Sequence, residues 1–150
     1  WALWFHDAVY DPRSHDNEIR SADWARQALL DACVAPDVAN RVHALILLTR
    51  HEAPAQTRDG RLLMDIDLSI LGAPAVRFAE YERQIRAEYA HLTDDAFLKG
   101  RRAVLQGFAR RARLFSSPAI SAALTTQAAS NLAATLAIAA NPSSPWPRSP

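Results

Sequence analysis

Apolar residues recur along this chain at helical spacing, and proline and glycine cut the pattern into segments. Trp1 to Tyr10 reads as the end of a helix, stopped by Pro12. Arg13 to Asp16 is a loop, and Ser14 or Asp16 is placed to cap a helix from Asn17 to Val34. Its expected inward face carries Ile19, Ala22, Ala25, Leu29 and Ala32. Pro36 and Asp37 open a third helix running to about His51, with Val38, Val42, Leu45 and Ile46 inward. Glu52 to Gly60 is a loop. A fourth helix, Arg61 to Leu71, is closed by Gly72 and Pro74. A fifth, Ala75 to His91, carries a stripe of Phe78, Tyr81, Ile85 and Tyr89. Thr93 or Asp94 caps a sixth, Asp95 to Phe115, with Phe97, Leu98, Val104, Leu105 and Phe108. A seventh covers Ile120 to Ala140, and the Pro/Ser tail 141–150 is expected to be disordered. No alternating run is long enough for a sheet, and no internal repeat is present. The expected class is all-α, one bundle of six to seven helices over residues 1–140.

Composition narrows the function classes. The chain has 150 residues and is 49% hydrophobic, enough for a real core. A formal net charge of +1 argues against a nucleic-acid partner. The single cysteine, Cys33, can form no internal disulfide; this suits a reducing, cytoplasmic compartment, with Cys33 as a small core residue. No run of about 20 strongly apolar residues exists, so no membrane span is expected. The chain opens without Met on WALWF, which reads as already inside a buried helix, and the first helix is expected to be missing.

The candidate chemistry lies in WFHDAVYDPRSHDNE, which holds His-Asp twice. His15-Asp16 sits in loop sequence, where Asp16 has ordinary work as a cap. His6-Asp7 is embedded in apolar surroundings, where an ionised carboxylate is costly unless paired or metal-bound. Adjacent helical residues point about 100° apart, so both can face one point only at a helix end. The plainer reading is a cap by His6 and a salt bridge by Asp7. In RLLMDIDLSILGAP the helical neighbours of Asp67 are Leu63, Met64, Ile70 and Leu71, all apolar. Asp67 is therefore expected to be buried and to need a partner, for which a cation is the natural choice. Asp65, with Arg61 one turn back, is expected to stay solvated. His43 is expected to pack. Trp4, Trp24, Tyr81 and Tyr89 read as core aromatics rather than base-stacking platforms.

These residues resemble the HD superfamily of metal-dependent phosphohydrolases. FHDAVYD, HDNE, LLTRHEAP, MDIDLSILGAP and YERQIRAEY are similar, in order and spacing, to a group of uncharacterised predicted HD phosphohydrolases. The similarity covers Trp1 to Phe115. It implies that His6 and Asp7 are the central metal-binding pair and Asp67 the final ligand. The family's first His matches no residue here and would lie upstream of Trp1. Some HD enzymes carry a Glu-Asp dyad after the pair; Tyr10 stands at the Glu position and only Asp11 matches, which counts against a guanosine-tetraphosphate substrate.

The implied function is hydrolysis of a phosphomonoester or nucleotide by water activated on one divalent ion, Mn, Fe, Co, Ni or Zn. Asp11 is the candidate to orient or deprotonate that water, with an Asp-Pro turn as the competing reading. His51 is a candidate proton donor or further ligand, with a favourable helix-end charge as its alternative. Glu18 favours the start of the second helix and is a further candidate neighbour of the metal. Lys99, Arg101 and Arg86 are candidate phosphate contacts, although a run such as 99–113 is also an ordinary solvated face, and Glu82 offers Arg86 an i,i+4 partner. The competing function is an HD-like helical interaction domain without catalysis.

Overall fold

The computed structural model describes residues 1–140 and Trp146. Among them are seven α-helices and no strand, as the spacing predicts, together with two 3-10 turns. The helices are α1 (Ala2–Phe5), α2 (Asn17–Asp31), α3 (Pro36–Leu47), α4 (Arg58–Asp67), α5 (Ala75–Glu88), α6 (Asp94–Ala109) and α7 (Pro118–Ala140). The 3-10 turns, Leu48–Arg50 and Leu68–Gly72, follow α3 and α4 directly. No helix of the described residues is long and apolar enough to cross a membrane. The chain divides into two compact units, Trp1–Asp67 and Leu68–Pro150.

In the first unit α2 and α3 meet through small side chains. Ala22, Ala25 and Ala39 are fully buried, with Leu29, Val42 and Ile46 beside them. Ala2 of α1 and Leu63 of α4 close this core. Ile19, expected inward, is 37% exposed; the buried stripe begins at Ser21 instead. The start of α4 is tightly packed at Gly60, where a Cβ would lie 2.6 Å from Leu48 Cδ1 and the leucine side chain would have to shift. Thr57 Oγ1 accepts from the Gly60 N–H at 3.1 Å and starts α4 three residues earlier than expected.

The end of α2 corrects the reading of Cys33. Cys33 is exposed rather than a core residue. Its φ of 58° is left-handed, its N–H bonds Leu30 O and the Val34 N–H bonds Leu29 O, each at 2.9 Å. This paired 5→2 and 6→1 pattern closes a helix with the left-handed residue turned outward. The end of α3 differs as well. Thr49 donates its hydroxyl to Ile46 O at 2.7 Å, the helix tightens to a 3-10 turn, and His51 takes a left-handed φ of 56°. Side-chain bonds to the preceding turn compete with regular helix, and apolar periodicity does not register them.

The second unit has its own core of Leu68, Leu71, Phe78, Leu105, Phe115, Ala128 and Leu132. Asn131 of α7 donates to Leu71 O and Ala73 O, each at 2.8 Å, and so satisfies the carbonyls that end a 3-10 turn. Thr93 caps α6 through the Ala96 N–H. That helix ends at Ala109, six residues before the expected Phe115, and Phe115 enters the core from the irregular segment that follows. Glu82, 1% exposed, receives Arg101 as a fork, Nε at 3.1 Å and NH2 at 2.5 Å. Of the tail 141–150 only Trp146 lies within the described residues. Its indole is buried, edge-on to Phe97, with Nε1 donating to Glu82 O at 3.4 Å.

Two stability outcomes follow from these contacts. Cys33→Gly removes a side chain from a left-handed position and is expected to raise unfolding free energy by about 0.5–1 kcal/mol in urea titrations. Arg101→Met leaves the Glu82 carboxylate buried alone and is expected to cost about 3–5 kcal/mol. Adding Glu82→Leu to Arg101→Met is expected to restore most of that loss in the same titrations.

Candidate functional site

Four titratable side chains converge in the first unit, each supplied by a helix end. His6 follows the last residue of α1 with helical backbone angles, and Asp7 begins the turn beyond it. Asp67 is the last residue of α4, where the helix tightens. His51 is the left-handed residue after the 3-10 turn that ends α3. A left-handed φ on a residue with a Cβ is uncommon and is held by its surroundings.

The imidazole of His6 is oriented by the backbone. Nδ1 lies 2.9 Å from Leu3 O, and a carbonyl can only accept, so Nδ1 carries a hydrogen. The other ring nitrogen, Nε2, faces Asp7 Oδ2 at 3.3 Å and Asp67 Oδ1 at 3.4 Å. The second oxygen of Asp67, Oδ2, is 2.7 Å from His51 Nε2. Asp67 thus divides its oxygens between two imidazoles. The side chains of His51, His6 and Asp67 are 13%, 20% and 22% exposed, while Asp7 is 67% exposed and opens the cluster to solvent.

Charge follows this geometry. The hydrogen bond to Asp67 outweighs burial and, with the Asp7 charge, lifts His6 from 6.5 to about 9. Burial works to raise the Asp67 carboxyl, but the hydrogen bonds from His51 and His6 prevail and hold it at about 2.

A proton on His6 Nε2 and a metal ion compete for one lone pair. One imidazole nitrogen and carboxylate oxygens form the mixed donor set that first-row divalent ions accept. Metal–ligand bonds of about 2.0–2.2 Å place neighbouring ligand atoms roughly 3.0–3.5 Å apart, and the two contacts of Nε2 fall in that range. Among the described residues no group of three or more His, Cys, Asp or Glu side chains is placed so that it could hold a metal ion. The contacts are pairwise and share His6, and it is in donor type, one imidazole nitrogen with carboxylate oxygens, that these residues suit a divalent ion.

The remaining candidates are placed differently. Asp11 is exposed and accepts from the Arg13 N–H at 2.9 Å, so its carboxylate serves the turn. Asp16 precedes α2 but makes no side-chain cap; it meets Ser14 Oγ instead. Glu18 lies in the first turn of α2. His43 pairs with Asp23 at 3.0 Å, an interhelical contact of α3 with α2. Lys99 is exposed on α6 of the second unit. Arg101 is committed to Glu82. Arg86 bonds Asp94 at 2.7 Å and the carbonyls of Tyr89 and Leu92, leaving the expected Glu82 partner to Arg101. Trp4 and Trp24, expected in the core, are 84% and 52% exposed, whereas Tyr81 and Tyr89 are half-buried.

Asp65 overturns the expected order of the two α4 carboxylates: it is 1% exposed, more deeply covered than Asp67. A count of neighbours on one helix cannot see what covers that helix from outside, and the periodicity itself changes where α4 tightens at Leu68. Ser21 and Asn17 also escaped the sequence reading. Their signal was a hydroxyl on an otherwise apolar helix face and an amide at its first residue. No family model, curated protein or solved structure matches the chain.

The charge pattern sets a pH dependence for metal-free protein. His6 is raised, so its contribution is complete below pH 6.5 and is lost as pH climbs through about 9. Asp67 is lowered, so its contribution holds above about 3.8 and is lost as pH falls through about 2. Thermal unfolding after chelator treatment is expected to fall by roughly 3–6 °C between pH 6.5 and 9. His6→Gln is expected to flatten that decline; an equal decline in the variant would assign it to other groups.

Proposed function

We propose that the first unit carries the divalent-metal site of a phosphohydrolase of the HD type. The observation that carries this reading is His6: Leu3 fixes its tautomer, and its free ring position is aimed at two carboxylates from different segments. A ligand histidine is ordinarily held in this way, with one ring nitrogen on a backbone carbonyl and the other toward the ion. His6, Asp7 and Asp67 hold the ion. When bound, it supplies an activated water and polarises a phosphoryl oxygen of a phosphomonoester or nucleotide. His51 engages Asp67 Oδ2 and so presents Oδ1 toward His6. Asp7 marks the solvent side, from which substrate arrives. Arg101 and Arg86 are left out of this reading, because carboxylates of the second unit already hold them.

A second reading has an observation of its own. With its acidity weakened to about 9, His6 is charged at neutral pH and satisfies Asp7 and Asp67 without a cation. In that case the cluster is a structural ion-pair network in a helical interaction domain.

Elemental mass spectrometry decides between the two. Reconstitution with Mn, Co or Ni is expected to leave about one ion per chain, absent from Asp67→Ala, with metal-dependent release of phosphate from p-nitrophenyl phosphate or nucleotides. Wild-type protein that retains no ion would sink the hydrolase reading and favour the network.

A further inference from the structure

The loop after the His6-Asp7 pair is held from α2 by two side chains used in the same way. Ser21, fully buried, accepts from the Val9 N–H at 3.0 Å and donates to Val9 O at 3.2 Å. Asn17 accepts from the Asp11 N–H at 3.0 Å through Oδ1 and donates through Nδ2 to Asp11 O at 2.8 Å. Each side chain therefore satisfies both backbone polar groups of one loop residue. Residues four apart on a helix are about 6 Å apart on one face. Alternate residues of a loop span at most about 7 Å. The two spacings match, so α2 supports Val9 and Asp11 much as a neighbouring strand would.

Packing alone does not call for these groups. Ser21 shares its face with Ala22, Ala25 and Leu29, and an alanine would fill the same place without a hydroxyl to satisfy. The clasp begins two residues after Asp7, whose carboxylate stays 3.3 Å from His6 Nε2 although 67% of it is exposed. The reach of a short side chain is set by its backbone, so holding the loop beside Asp7 fixes where its carboxylate can lie.

We propose that Asn17 and Ser21 are positioning residues of the metal site, fixing the loop from Ala8 to Asp11 so that Asp7 is held against His6. The inference rests on the metal-site reading above and adds to it the device that keeps the most exposed ligand in place.

Cobalt(II) is the probe. Its visible d–d spectrum reports ligand geometry, and calorimetry gives its dissociation constant. Both are measured on the whole chain for wild type, Ser21→Ala, Asn17→Ala and Asp67→Ala, beside urea unfolding of each. Each clasp variant is expected to bind cobalt roughly 10-fold or more weakly, with an altered d–d band, under conditions where it remains folded. Stability lost while cobalt affinity stays within about twofold and the band is unchanged would overturn the positioning role, since a merely structural clasp predicts that pattern. Should Ser21→Ala fail to fold, Asn17→Ala at its half-buried position decides by the same criterion. Wild type binding no more cobalt than Asp67→Ala would instead overturn the metal site itself, and this inference with it.

Discussion

The first unit turns on one carboxylate shared by two imidazoles. Asp67 gives Oδ1 to His6 and Oδ2 to His51, and so joins the end of α1, the turn after α3 and the end of α4. A carboxylate placed among Leu63 and Met64 is costly in a low-dielectric setting unless its charge is matched and its oxygens are bonded. Here both conditions are met by residues distant in sequence. The same arrangement leaves His6 Nε2, already fixed by Leu3, facing a second carboxylate. Structural need and candidate chemistry therefore fall on the same atoms.

Helix ends supply these atoms for a physical reason. Inside a regular helix, neighbouring side chains diverge by about 100°, and those on one face stack along the axis instead of meeting at a point. Convergence needs places where the repeat is broken. The left-handed His51 and the 3-10 turns after α3 and α4 are such places. The helices behind them are held by ordinary means. Fully buried alanines let α2 and α3 approach closely, and the start of α4 packs tightly against Leu48 at Gly60. A rigid frame with irregular ends is a sound support for a constellation of polar groups.

The second unit spends its buried polar groups differently. Glu82 and Arg101 form a forked pair in which burial opposes the arginine's charge and the carboxylate restores it, leaving Arg101 more basic than usual. Asn131 completes a 3-10 turn, and the Trp146 indole adds a donor at Glu82 O. These groups are satisfied inside the fold, and this removes Arg101 and Arg86 from the pool of side chains available to a phosphate.

Much of this was legible in the sequence. Proline, glycine and apolar spacing determined the all-α class and seven helices, because backbone punctuation is local chemistry. The sequence also pointed to His6, Asp7 and Asp67, since a charged pair beside five apolar residues and an aspartate ringed by Leu, Met and Ile are local anomalies. Tertiary structure decided the rest. It buried Asp65 more deeply than Asp67, exposed Cys33, Trp4 and Trp24, and gave Glu82 to Arg101 instead of Arg86. It brought His51 to Asp67 across sixteen positions and set Ser21 and Asn17 on the loop beside the pair. A sequence carries the spacing of residues along one element, whereas these outcomes depend on which other element covers each face.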